Sequence, residues 1–187
     1  EARHVPATFF LIGENAMAHP WLVRRVVDFG NEIGSHSFTH PNLAQVSARG
    51  TRIELNATQR VIEAYSGRAV RLFRAPYFGD AEPTTSDELI PALTAQQAGY
   101  TNVGLHVDPD DWQRPGVDHI VQATLAEVAA GNPEKSGQIV LLHDGGGDRS
   151  QTVAALPQII DALRAKGYRF VPVSELAGLS RDQVMPP

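Results

Sequence analysis

The chain has no cysteine. Disulfides and thiolate ligands are therefore excluded, and the absence fits any redox compartment. No apolar run is long enough to cross a bilayer. Basic residues are outnumbered, 16 Lys and Arg against 21 Asp and Glu, and the net charge of −5 speaks against a nucleic-acid partner. Glycine-rich phosphate signatures are missing too. The stretch LIGENAMAHP holds one glycine where the dinucleotide fingerprint needs three, and GGGD (Gly145 to Asp148) lacks the lysine of a phosphate loop. An initiating methionine and a leader-like segment are also lacking, so the chain is expected to be a piece of a longer protein.

What is present is an alternation. At 187 residues, with 42% apolar and 20% charged residues, the chain has the size and composition of one globular domain. Short apolar runs read as strands: ATFFLI, EIGSH, VRLFRAP, YTNVGLHV, GQIVLLH and YRFVPV. Helical patterns lie between them. PWLVRRVVDFG stops at Gly30, and RIELNATQRVIEAYSG is apolar at Ile53, Ala57, Val61 and Tyr65 and stops at Gly67. In TTSDELIPALTAQQAG, Pro91 must bend the helix or delay its start, and in TVAALPQIIDALRAKG, Pro157 is expected near the first turns. GVDHIVQATLAEVAAG is a further helix and SELAGL a last turn or two. The alternation implies an α/β fold, a parallel sheet covered by helices, closed either as a doubly wound sheet or as a barrel. Residues 1–180 are expected to form the domain and 181–187 a polar, proline-ended linker or tail.

In such folds the working groups gather at the C-terminal ends of strands. The sequence places His36 and His40 after its second strand, Arg74 after the third, Asp108 and Asp111 after the fourth, and His143 with Asp144 after the fifth. Each has a plain reading. Most H-x-x-x-H pairs cap loops or lie in solvent. Arg74 suits a structural ion pair, the aspartates flanking Pro109 suit a turn, and His143 suits a satisfied core position. Four strand ends in succession are harder to dismiss, and they favour metal or acid–base chemistry. His4, His19, His106 and His119 fit no such pattern and take the plain reading.

Together these residues resemble the polysaccharide deacetylase family, the NodB-homology domain of carbohydrate esterase family 4. HSFTH matches its H-[ST]-x-x-H metal motif, RAPY its R-x-P-[YF] motif, DPDDW its D-x-x-D-W motif, and LLH its L-x-H motif. ATFFLIG and GYRFVPVSEL look like its framework segments. YFGDAEPTT and LLHDGGGDRSQTV also look like deacetylase modules fused to a family 2 glycosyltransferase. The resemblance implies a distorted (β/α) barrel. The family's opening T-F-D-D-G-P motif, on its first strand, is absent from this chain, so that strand is expected to be missing. Its two aspartates are the catalytic base and the third metal ligand.

By resemblance, His36 and His40 would be metal ligands, with Zn²⁺ favoured and Co²⁺, Fe²⁺ or Ni²⁺ as alternatives. A divalent metal makes water nucleophilic near neutral pH and polarises a carbonyl. Arg74 would orient the base, and the Tyr77 peptide N–H would support an oxyanion. His143 would be the general acid, with Asp111 as the carboxylate that favours its charged form. Trp112, Leu141 and Tyr77 would contact the substrate, with Trp112 and Leu141 walling the acetyl methyl, and Asp108 would play a supporting part. The expected reaction is removal of N-acetyl groups from a GlcNAc-containing polysaccharide, chitin oligomers or peptidoglycan, outside the cell or at its envelope. Two other readings stand beside it. One is an O-acetyl esterase on xylan-like chains, and the other is a non-catalytic module that binds glycan or a partner.

Overall fold

The computed structural model describes residues 3–77, 82–131 and 137–187. They form two compact units, one of residues 3–104 with 171–187, the other of residues 105–170.

The first unit is built on a four-stranded parallel sheet: β1 (Thr8–Leu11), β2 (Glu32–Ser35), β3 (Leu72–Phe73) and β4 (Thr101–Asn102). The strands lie in sequence order, β1-β2-β3-β4. The order never reverses, so these strands contain no switch point of the doubly wound kind and advance as barrel strands do. Helices α1 (Gly13–Ala18), α2 (Pro20–Asp28), α3 (Ala48–Ser66) and α4 (Ser86–Gln97) make the connections. Helix α3 starts earlier than its apolar pattern, because the Ser47 hydroxyl caps it by accepting from the Gly50 N–H. It stops where expected, at Gly67 with φ 69°, a conformation glycine adopts without strain. Helix α4 starts directly at a Thr85–Glu88 capping box and carries Pro91 inside it, so its start is not delayed. Ile33, Leu55, Ile62, Val70, Leu72 and Phe73 fill the core. β1, at the sheet edge, is only half-buried.

The second unit packs α5 (Val117–Ala130) on α6 (Ser150–Ala165). Val107, Ile120, Val128, Ala155, Ile159 and Leu163 form its core, with Val140, Leu142 and Phe170 against them. Pro157 is the eighth residue of α6, deeper than its sequence suggested. GQIVLLH, expected as a strand, makes only an isolated parallel bridge, Val140 to Val107. Its Ile139 N–H is taken by the His106 ring and no ladder develops. YRFVPV likewise forms no strand among the described residues, and its Val173 N–H goes to the Thr8 hydroxyl.

Residues 181–187, expected as a linker or tail, are folded into the first unit. Helix α8 (Arg181–Val184) follows α7 (Val173–Leu176). Val184 and Met185 are buried, and the Ile33 N–H lies 3.0 Å from Met185 Sδ. The Val184 and Pro186 carbonyls accept from the Arg71 and Ala69 N–H groups. Polar composition points to a tail, but the sequence pattern does not reveal that Val184 and Met185 are buried and that Met185 lies against β2.

Glu32 opens β2 with its side chain fully buried. The Thr8 hydroxyl (3.0 Å), the Ser174 N–H (3.1 Å) and the Ser174 hydroxyl donate to its carboxylate. One carboxylate thus joins β1, β2 and the first turn of α7, where an acidic group also complements the helix end. Glu32→Ala should lose on the order of 3 kcal/mol of stability in urea titration, because these buried donors lose their acceptor.

Candidate active site

His36 follows β2 directly. The β2–β3 register, Ser35 opposite Phe73, brings Arg74 beside it. The His36 Nδ1 lies 2.8 Å from the Arg74 carbonyl oxygen. A carbonyl only accepts, so Nδ1 carries the hydrogen and the neutral ring keeps its lone pair on Nε2. That is the tautomer of a histidine prepared to ligate a metal through Nε2.

The HSFTH loop then turns tightly. Ser37 and His40 have φ of 65° and 59°, left-handed values unusual outside glycine. The Ser37 hydroxyl accepts from the His40 N–H at 3.1 Å. The turn carries the His40 ring back to His36, with centroids 4.8 Å apart at 69°, and onto Tyr77, 5.0 Å away. Tyr77 is exposed and also left-handed, at φ 69°. Arg74 is buried. His36, His40, Arg74 and Tyr77 therefore form one cluster in the first unit. Two imidazoles, one with its tautomer fixed, suit a divalent metal of the zinc type. Among the described residues no third histidine, cysteine or carboxylate completes a cluster of three.

The second unit holds the other group. DPDDW is a turn, as its plain reading had it, with the Asp110 N–H donating to Asp108 Oδ1 at 3.1 Å and Asp110 and Arg114 both left-handed. That turn drives Asp111 inward until it is fully buried. Three donors meet its carboxylate: the His143 ring through Nδ1 (2.8 Å), the His143 N–H (2.9 Å) and the Thr152 hydroxyl (2.7 Å). Burial alone would raise the Asp111 carboxyl, but these hydrogen bonds together outweigh it and hold the group below the usual carboxylate range. An ionised carboxylate has no proton to give, so His143 Nδ1 carries the hydrogen and Nε2 is the nitrogen left for chemistry. Trp112 is exposed, with its indole N–H on Asp110 Oδ1, and Leu141 is half-buried beside the Val107 carbonyl.

Three supporting residues escaped the sequence reading. Thr152, in the first turn of α6, has just been described. Arg149 donates to the Gly145, Gly146 and Trp112 carbonyls and so ties the GGGD loop to the tryptophan. Glu54 in α3 binds the HSFTH loop. Arg149 and Thr152 fall within LLHDGGGDRSQTV, but nothing in that stretch shows what they touch, and Glu54 lies inside the helical pattern of α3. Residues 78–81, within YFGDAEPTT, lie outside the described residues.

Comparison with known proteins identifies the family. The family model described as Polysaccharide deacetylase matches residues 1–103. A peptidoglycan-N-acetylglucosamine deacetylase of Bacillus cereus is 41% identical over 174 residues, covering 91% of this chain and 74% of that protein. A chitooligosaccharide deacetylase of Sinorhizobium fredii is 41% identical over 175 residues, covering 88% and 75%. A solved peptidoglycan N-acetylglucosamine deacetylase superposes with a TM-score of 0.82 at 32% identity, over 96% of this chain and 79% of that one. The chain belongs to the polysaccharide deacetylase family, whose fold is an α/β fold on a parallel sheet.

The depressed Asp111 carboxyl gives stability a definite acid dependence. An unfolded aspartate titrates near about 3.9. Below that value the unfolded chain takes up a proton that the folded chain still refuses. The stability Asp111 contributes is therefore complete above the unfolded value and is lost as pH falls through the folded one. Urea midpoints measured from about pH 6 to about pH 3 should show this loss, and Asp111→Asn should flatten it.

Proposed function

We propose that this chain carries the metal and acid machinery of a deacetylase that hydrolyses N-acetyl groups on a GlcNAc-containing polysaccharide, chitin oligomers or peptidoglycan. The observation that carries the reading is shared by two histidines. His36 and His143 each donate from Nδ1 to a fixed acceptor, a carbonyl in one case and a carboxylate in the other. Each therefore presents Nε2 for work, as a ligand in the first case and as a proton carrier in the second.

An acetamide is inert to neutral water, so hydrolysis needs a nucleophile, an oxyanion partner and a proton for the leaving amine. A divalent metal, Zn²⁺ before Co²⁺, Fe²⁺ or Ni²⁺, would be held by His36 and His40 and would supply the activated water and carbonyl polarisation. The chain's own residues account for the rest of what is proposed. His143 delivers a proton from Nε2 to the departing amine nitrogen. Asp111 keeps the ring oriented and favours the imidazolium, and Thr152 in turn fixes Asp111. The peptide N–H of Tyr77 supports the oxyanion, a role in keeping with its unusual backbone state. Trp112 and Leu141 supply apolar surface for the acetyl methyl. Arg74 would orient the base that takes the water's proton.

His143→Ala should abolish acetate release from an N-acetylated chitin oligomer while leaving zinc affinity near wild type. Loss of zinc with that variant would sink its role as the acid. His36→Ala should weaken zinc binding by several kcal/mol in calorimetry, and an unchanged affinity would remove the imidazole pair from the metal site.

A further inference from the structure

The loop between the two histidines, residues 37–39, is gripped from two sides. From α1, the Gly13 and Glu14 N–H groups donate to the Ser37 and Phe38 carbonyls, both at 3.0 Å. From α3, Glu54 takes the opposite polarity. Its Oε2 accepts from the Phe38 N–H at 2.7 Å and the Thr39 N–H at 2.8 Å, and its Oε1 accepts from the Thr39 hydroxyl at 2.9 Å. A single half-buried carboxylate therefore holds three donors of a three-residue loop whose first residue, Ser37, and whose following residue, His40, sit in left-handed backbone. The space under the loop is equally constrained. A Cβ on Gly13 would meet the Phe38 ring at 2.2 Å.

The placement of His40 depends on this grip. His36 is fixed by β2 and the Arg74 carbonyl. His40 has no strand beneath it. It follows the turn at 37–39, and a small rotation there changes the spacing of the two rings. Hydrogen bonds of this length to a carboxylate are of the strong, charge-assisted kind, and two of them come from consecutive peptide N–H groups, which fixes direction as well as distance.

We propose that Glu54 is a positioning residue for the imidazole pair: its carboxylate sets the turn that brings His40 to His36, and metal affinity depends on it. The proposal rests on the reading of His36 and His40 as ligands. It adds a residue that touches neither the metal nor the substrate. Glutamine in its place keeps the length and an acceptor oxygen but gives neutral hydrogen bonds. Alanine leaves the three donors without their partner.

The test uses the purified chain, zinc chloride calorimetry and proton NMR of the histidine rings in the metal-free protein. Glu54→Ala should bind zinc at least about tenfold more weakly than wild type, and Glu54→Gln about threefold. In the metal-free protein the His40 ring signals, shifted in wild type by the His36 and Tyr77 rings, should move toward free-histidine values in Glu54→Ala. A purely structural role would lower thermal stability and leave affinity and ring shifts unmoved in the folded fraction, which overturns the proposal. If Glu54→Ala does not fold, Glu54→Gln decides by the same two readings, and wild-type values in both overturn it. If wild type and His36→Ala take up zinc equally poorly, the metal reading fails instead. The ring shifts and the hydrogen exchange of the Phe38 and Thr39 amides then decide the positioning role, supported by a change and overturned by none.

Discussion

The site depends on one register. Ser35 pairs with Phe73, and the next residue on each side is then His36 and Arg74. The Arg74 N–H donates back to the Ser35 carbonyl at 3.0 Å, while the Arg74 carbonyl receives the His36 ring. A slip of one strand by one residue would turn its side chains to the opposite face relative to its partner's and take the carbonyl away from the imidazole. The hydrophobic burial of Leu72, Phe73 and Ile33 is what holds that register, so the core sets the protonation geometry of a functional ring.

The second unit reaches the same result by other means. There the fixed acceptor is a buried carboxylate and not a peptide carbonyl. Asp111 keeps its charge inside the protein because three donors surround it, one from its histidine's ring, one from that histidine's backbone and one from α6. Removing water from a carboxylate is costly unless hydrogen bonds replace the hydration. The double contact with His143, ring and backbone, also ties the side-chain orientation to the chain path at 143. The ring cannot swing without breaking a bond to the oxygen pair that its own backbone also holds.

The sequence was most legible where chemistry is local. Strand–helix alternation, the stops at Gly30 and Gly67 and the four short motifs were all readable, and the motif residues gather in two clusters, one within each unit. The extended segments GQIVLLH and YRFVPV were over-read, because apolar β-branched composition does not say whether a neighbour is available to form a ladder. The end of the chain was under-read, because Val184 and Met185 are two apolar residues in a polar setting and only the fold shows what they cover. Glu54, Arg149 and Thr152 escaped for a related reason. Each has a partner distant in sequence, and no spacing rule links a carboxylate in α3 to the amides it binds 15 and 16 residues earlier, Arg149 to the Trp112 carbonyl, or Thr152 to Asp111.

The first unit is discontinuous in sequence: it takes its last residues from 171–187 after the whole of 105–170 has intervened. During synthesis the chain leaves the ribosome from its N-terminus, so β2 emerges long before Met185, whose sulfur lies against its Ile33 N–H, exists. The second unit is continuous and has its own core. The first unit therefore cannot complete its packing until residues 171–187 have been made, after every residue of the second unit.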